Sequence, residues 1–233
     1  MRQNILVTGG AGYLGSILVP ELLRVGNRVT VLDNFFYKQN SLANVCHDSN
    51  FQIVRGDVRL KSTIMPLLKK ADIIIPLAAL VGAPACDRDP VNAKTINHDS
   101  MLALLEWAQN KQYILMPTTN SAYGNGDKNN FCSEKSELRP ISQYAKEKVA
   151  VEKVLMERQN SISFRLATLF GMSPRMRIDL LVNNFVYRAV NDRFIILFES
   201  HFKRNYIHIR DVTRVFLHAI ENLDQMKGEI YNV

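Results

Sequence analysis

The sequence predicts an α/β fold built on a doubly wound parallel sheet, and three observations lead there. Short β-branched or apolar runs alternate with longer amphipathic stretches over most of the chain. The intervening stretches are long enough for the right-handed crossovers that parallel strands require. The first run opens directly onto spaced glycines.

Strands are expected at residues 4–8, 28–32, 51–54, 73–76, 114–117 and 162–165, and helices near 16–25, 64–69, 100–109 and 143–158. Beyond Gly171 the alternation loosens into 172–177, a helix-like stretch at 179–190 and a strand-like run at 194–198. It then resumes with a strand at 206–209, a helix around 212–222 and a strand at 229–233. Residues 1–170 are read as the sheet domain and 171–233 as a small second region, with 206–233 returning to pack on the sheet.

With 233 residues, 47% of them hydrophobic, the chain can bury a substantial core, so disorder is not expected. The net charge of +7 suits an anionic ligand, but Lys and Arg are scattered and do not collect into a stripe, which disfavours nucleic acid. No run approaches the roughly 20 apolar residues of a membrane span. Cys46, Cys86 and Cys132 are far apart, without zinc spacing, and read as reduced thiols of a soluble, cytoplasmic protein with no metal site.

The segment Thr8-Gly9-Gly10-Ala11-Gly12-Tyr13-Leu14-Gly15 follows a strand and precedes a helix. Gly9 permits the tight turn, Gly12 lets the backbone approach a pyrophosphate and Gly15 lets helix pack on strand, with the helix N-terminus facing the anion. Asp33 ends the second strand about 20 residues on, where a carboxylate can accept both ribose hydroxyls of an adenosine. Its neighbours Asn34, Phe35 and Phe36 include no Arg to neutralise a 2′-phosphate, so NAD is preferred over NADP. This is the dinucleotide signature of a Rossmann fold.

Tyr144 and Lys148 lie i, i+4 on a predicted helix and share a face. A free phenol is a poor base at neutral pH, but a neighbouring ammonium favours the phenolate, so the pair is a credible proton-transfer device. No other tyrosine in the chain has a lysine four residues on.

The glycine triplet, Asp33, Gly56-Asp57-Val58, Leu77-Ala78-Ala79, the Thr119–Gly124 segment, Tyr144-Ala-Lys-Glu-Lys148 and Arg204-Asn-Tyr-Ile-His-Ile-Arg-Asp211 occur in order over nearly the whole chain. Together they resemble the extended short-chain dehydrogenase/reductases, and among these the nucleotide-sugar epimerases and dehydratases typified by UDP-galactose 4-epimerase. The resemblance implies an NAD-dependent enzyme acting on a nucleotide-diphosphate sugar, commonly a homodimer and commonly in polysaccharide biosynthesis. It assigns the acid/base to Tyr144, the ribose-holding and pKa-lowering role to Lys148, and the catalytic hydroxyl to Thr119. Gly9, Gly12, Tyr13, Leu14, Gly15, Asp33, Asn34, Asp57, Val58, Leu77, Ala78 and Ala79 would line the cofactor, Asp57 holding the adenine amino group. Arg204 would grip the substrate diphosphate, and Asn97 would be structural.

Departures from the family pattern narrow the reaction. Asn120 and Ser121 stand where the 4,6-dehydratases carry an Asp-Glu pair, and neither can supply a second acid or base. Other members place a cysteine where Ser121 stands, for epimerisation beside the ketone. What remains is chemistry needing one base and the cofactor: C4 epimerisation through a 4-keto sugar, with a 4-keto reductase, dehydrogenase or dehydratase as alternatives and a non-catalytic dinucleotide-binding regulator outside the class. Asp179-Leu180 occupy the place where the sugar epimerases often have paired asparagines, and Thr168 a place where some have Asn. Arg175 and Arg177 read as a solvated basic turn, Cys86 as a small buried residue, and His98 and His208 as structural. Family members usually run longer, so the substrate domain is expected to be truncated.

Overall fold

The computed structural model describes residues 2–125, 131–198, 200–201 and 203–233. Nine strands are assigned among them: β1 (Asn4–Thr8), β2 (Arg28–Asp33), β3 (Phe51–Arg55), β4 (Ile73–Pro76), β5 (Tyr113–Thr119), β6 (Ser161–Leu166), β7 (Thr168–Phe170), β8 (Tyr206–His208) and β9 (Glu229–Asn232). Seven form one sheet in the order β3-β2-β1-β4-β5-β6-β9, parallel throughout, while β7 and β8 make a separate parallel pair. The helices are α1 (Gly15–Arg24), α2 (Lys61–Leu68), α3 (Ala83–Arg88), α4 (Pro90–Lys94), α5 (Ser100–Trp107), α6 (Gln143–Leu155), α7 (Leu181–Asn191), α8 (Ile209–Glu221) and α9 (Leu223–Met226).

The two-residue period of the strands divides the core. Ile5, Val7, Ile73, Ile75 and Leu115 face one layer, where Leu18, Val19 and Leu22 of α1 meet Phe216 and Ala219 of α8. Leu6, Ile74, Ile114 and Met116 face the other, against Ile64 and Leu68 of α2, Leu104 and Leu105 of α5, and Val151 and Leu155 of α6. All these side chains are essentially removed from water, each of the larger ones contributing about 1.5–3 kcal/mol. Helix α1 continues past Pro20, and Pro66 lies inside α2.

One sequence expectation about the elements is corrected. Residues 194–198 form no strand: the Phe-Ile-Ile-Leu-Phe run favours a strand only beside a partner, and none pairs with it among the described residues. Conversely, 83–94 contains two short helices that Pro84 and Pro90 conceal from a periodicity reading, because proline occupies the first turn of each. Asp89 caps the second by accepting the Asn92 amide at 3.1 Å.

Strand order reverses between β1 and β4, so the crevice beyond their C-terminal ends is the natural ligand site of this architecture. The glycine loop, Asp33, Asp57, Leu77 and Thr119 follow or end β1, β2, β3, β4 and β5, which brings them all to that edge.

Candidate active site

Gly9 turns the chain out of β1 with φ +70°, and a Cβ there would stand 2.5 Å from the Ala78 nitrogen, so the loop can lie against the end of β4 only as glycine. Its amide donates to the Leu32 carbonyl at 2.8 Å and its carbonyl accepts the Gly12 amide at 3.0 Å. At Gly15 a Cβ would come within 2.6 Å of the Gly10 Cα, which closes the turn into α1. The amides of Tyr13 and Leu14 donate to no carbonyl or side chain among the described residues, leaving two donors at the helix entrance.

Asp33 accepts the Ala11 amide through Oδ2 at 2.9 Å and the Phe35 amide through Oδ1 at 2.7 Å, which fixes its carboxylate against the glycine loop. Asn34 accepts the Phe36 amide at 3.0 Å. Glycine turn, free amides and adjoining carboxylate together fit an adenosine diphosphate moiety of a dinucleotide. Asp57 is occupied differently: Arg59 Nη2 donates to its Oδ2 at 2.6 Å, and this hydrogen bond, against the effect of burial, holds the carboxyl below its ordinary range. Arg59 also donates to Asn92 and Thr95, so Asp57 is tied to α4. Val58 is buried, and Leu77, Ala78 and Ala79 are half-buried after β4, the Leu77 amide donating to the Thr8 carbonyl at 2.8 Å.

Thr119 ends β5, and its hydroxyl accepts the Ser121 amide at 3.1 Å. Tyr144 and Lys148 lie in the first two turns of α6, whose N-terminus Ser142 caps by accepting the Ala145 amide at 3.2 Å. The Lys148 Nζ is 6.0 Å from the Tyr144 ring centre and donates a long hydrogen bond, 3.5 Å, to the Pro117 carbonyl. Burial pushes the lysine down to about 8, with Cys86 and Glu147 acting in the opposite sense. Burial also pushes the Tyr144 phenol up, Cys86 adding to the effect and Arg177 opposing it. Desolvation therefore disfavours charge on both members of the pair, Lys148 being buried and Tyr144 half-buried.

Asn97 is buried in a wide helical turn at Thr95–Asp99; its amide donates to the Leu80 carbonyl at 2.9 Å and accepts the Leu80 amide at 2.8 Å. This clamps the chain leaving β4 and is the structural role expected for it. His98 meets Asp99, and His208 accepts the Arg210 amide at the start of α8. Cys86 is buried and donates to Leu80 at 3.3 Å.

Residues beyond Gly171 contribute contacts that the sequence reading missed. The Tyr13 hydroxyl donates to the Gly171 carbonyl at 2.6 Å, Asn183 donates to that hydroxyl at 3.1 Å and accepts the Gly171 amide at 2.9 Å, and Ser173 donates to the Tyr13 carbonyl at 2.7 Å. Because α7 begins at Leu181, the Asn183–Asn184 pair lies within its first turn, four residues beyond Asp179-Leu180; the pair is plain in the sequence once the helix start is placed. Arg175 and Arg177 do not form a solvated turn. Arg175 is buried with its guanidinium 3.5 Å from the Tyr37 ring centre, and Arg177 is paired with Asp179 close enough to Tyr144 to influence its phenol.

Arg204 is exposed on the rim of a cavity of about 780 Å³ between α7 and residues 194–198, to which Asn184, Phe185 and Arg188 also contribute. A second, smaller depression lies around Asn4, Arg28 and Lys70, at the N-terminal ends of the strands and away from these groups. No cluster of three or more His, Cys, Asp or Glu suited to a metal occurs, and no helix is long and apolar enough to cross a membrane, among the described residues.

The site is thus a dinucleotide crevice with a Tyr–Lys pair at its edge, the arrangement of an oxidoreductive Rossmann protein. Residues 5–233 match the model of the NAD dependent epimerase/dehydratase family, and the chain belongs to that family. It is 28% identical over 211 residues to UDP-glucuronic acid decarboxylase 1 of Xenopus tropicalis, an alignment covering 85% of this chain and 49% of the relative. With CDP-paratose 2-epimerase of Salmonella typhi it shares 27% identity, over 99% of this chain and 78% of the relative. The structure of UDP-glucuronic acid 4-epimerase from Bacillus cereus, in complex with UDP-glucuronic acid and NAD, superimposes with a TM-score of 0.86 at 26% identity, covering 99% of this chain and 77% of that one. The chain spans about half the length of the decarboxylases it matches.

Proposed function

We infer that this protein binds NAD in the crevice formed by the glycine loop and Asp33 and catalyses C4 epimerisation of a nucleoside-diphosphate sugar. The reading is supported by the Lys148 Nζ lying 6.0 Å from the Tyr144 ring centre on one face of α6, by Thr119 ending β5, and by Asn120 and Ser121 offering no second acid or base. NAD, when bound, supplies reversible hydride acceptance at the sugar carbon. Tyr144 takes the hydroxyl proton during oxidation and returns it during reduction, Lys148 stabilises the phenolate, and Thr119 holds the reacting hydroxyl. One base thus serves both half-reactions, and inversion requires only that the keto sugar present its other face.

Arg204 and Asn184 are assigned to the nucleotide diphosphate, Arg204 because a planar guanidinium suits phosphate and both line the cavity beside α7. Asp57, already engaged by Arg59, is assigned to the adenine edge as part of that ion pair. A second reading, NAD-dependent decarboxylation of a uronic acid, is favoured by the decarboxylases among the relatives.

Purified protein with NAD is assayed against UDP-, GDP-, CDP- and dTDP-sugars and uronic acids by mass spectrometry and absorbance, with Tyr144→Phe as control. Interconversion at constant mass and without net NADH supports the epimerase. Loss of carbon dioxide establishes the decarboxylase, stoichiometric NADH a dehydrogenase, and NAD binding without turnover of any sugar a non-catalytic role.

A further inference from the structure

One buried ion pair is built into the seat of α6. Tyr144, Lys148 and Glu152 follow one another at four-residue spacing and share a face of that helix. Glu152 and Arg165 of β6 are each 3% exposed; Arg165 Nη2 donates to Glu152 Oε1 at 2.6 Å, and its Nε donates to the two carboxylate oxygens at 3.1 and 3.2 Å. Glu152 Oε2 also accepts the Thr118 hydroxyl of β5 at 2.9 Å and the Ser163 hydroxyl of β6 at 2.6 Å. Arg165 Nη1 donates to the Tyr123 hydroxyl at 2.8 Å and to the Glu134 carbonyl at 3.1 Å, and Tyr123 donates onward to Asn232 Oδ1 of β9 at 2.6 Å. Thr118 directly precedes Thr119, and Tyr123 ends the short turn Asn120–Tyr123 that follows it.

A buried ion pair adds little net stability over apolar residues of the same volume, so its place here calls for another account. Val151 and Leu155 hold α6 to the sheet by apolar burial, which is non-directional and tolerates a slide or a rotation of the helix. The bonds of Glu152 are directional. Among the described residues, they and the long Lys148 contact to the Pro117 carbonyl are the side-chain hydrogen bonds that join α6 to the sheet. We propose that Glu152, oriented by Arg165, is a positioning residue that sets the register of α6 on β5 and β6, and with it the place of Tyr144 and Lys148 relative to Thr119. This rests on the roles assigned above to those three residues. The ion pair bonds to none of the residues assigned to NAD or sugar, so it acts on the chemistry through the helix it seats.

The test joins kinetics to a crystal structure of the protein carrying Glu152→Leu together with Arg165→Met, which removes both charges and strands neither. The hydroxyls that lose Glu152 or Arg165 keep other partners: Thr118 meets Ser163 at 3.1 Å and donates to the Phe164 carbonyl at 3.2 Å, and Tyr123 keeps Asn232. The double variant is expected to unfold cooperatively in urea and to show α6 moved on β5, Tyr144 being displaced relative to Thr119 by about 1 Å or more. For the sugar that the wild type turns over, kcat is expected to fall about 10²-fold while KM stays within about threefold. A folded double variant with kcat within about threefold of wild type overturns the proposal, as does a crystal structure in which the Tyr144–Thr119 separation is unchanged. Should the double variant not fold, Thr118 carries the test: Thr118→Val removes the β5 hydroxyl that binds Glu152 and is expected to lower kcat, Thr118→Ser keeps it and is expected to retain turnover, and equal kcat in the two overturns the proposal. If the wild type turns over none of the sugars, the epimerase reading fails by that result, while the crystal structures of the variants still decide whether the ion pair sets the Tyr144–Thr119 geometry.

Discussion

Replacing Lys148 by methionine is expected to stabilise the ligand-free protein while removing its function. The lysine is 4% exposed, has one hydrogen bond at 3.5 Å, and its value drops from an ordinary 10.5 to about 8 through burial. At about 1.4 kcal/mol per tenfold change in proton affinity, that drop corresponds to roughly 3 kcal/mol of penalty for the charged form. The native state has the lower value, so below pH 8 both states hold the proton and the penalty is complete. Between pH 8 and 10.5 the unfolded chain retains a proton that the native protein has released, so the wild type gains stability as pH rises. Urea unfolding of both proteins at pH 7 and at pH 10 should show Lys148→Met more stable by roughly 3 kcal/mol at pH 7 and the gap mostly closed at pH 10. A variant less stable than wild type at pH 7, or a gap independent of pH, would refute the reading of this lysine as a charge held at a cost for its chemistry.

Tyr144→Phe should fold normally and bind NAD, yet lose turnover by roughly 10²–10⁴-fold in the sugar assay. Asp33→Ala removes the acceptor of the Ala11 and Phe35 amides, and calorimetry should find NAD binding weakened by about 2–4 kcal/mol. Gly9→Ala forces a Cβ against Ala78 at positive φ and should abolish NAD binding in a protein whose circular dichroism remains native. Arg165→Met strands Glu152 in the core, where Thr118 and Ser163 would be its remaining partners, and should cost about 3–5 kcal/mol by urea unfolding.

Most of the sheet and the residues gathered at its C-terminal edge were legible because their signals are local. Each strand of the large sheet carries its own apolar run, the glycine loop announces itself by spacing, and Tyr144 and Lys148 need only helical geometry to share a face. The turn residues also explain why positions so far apart in sequence meet: parallel strands with crossovers all end on one edge. What escaped reading depends on contacts between distant segments. Nothing in the order Met172-Ser173-Pro174-Arg175 says that the serine reaches Tyr13 or that the arginine stacks on Tyr37, and a run of charged and polar residues reads as solvated until its neighbours are known. The 194–198 run failed for the opposite reason, its local preference for a strand being strong while no strand pairs with it among the described residues.

Those distant contacts change how the site should be understood. Tyr13 belongs to the cofactor loop by sequence, yet its hydroxyl is bound by Gly171 and Asn183, its carbonyl is held by Ser173, and the Ser16 hydroxyl meets that of Ser173 at 2.7 Å. Asn183 lies in the first turn of α7, and the next residue, Asn184, lines the cavity proposed for the nucleotide sugar. The glycine loop and that cavity are therefore joined through one buried asparagine. Substitution of Asn183 by Leu removes its three hydrogen bonds, to Tyr13, Gly171 and Arg177, so it should weaken binding of NAD and of the sugar nucleotide together, although it is assigned to contact neither. A substitution at Arg204, by contrast, should raise the sugar KM and leave NAD affinity alone. Calorimetry of both ligands with both variants separates the two cases: an Asn183→Leu protein that lost only one affinity would show that the loop and the cavity are held independently.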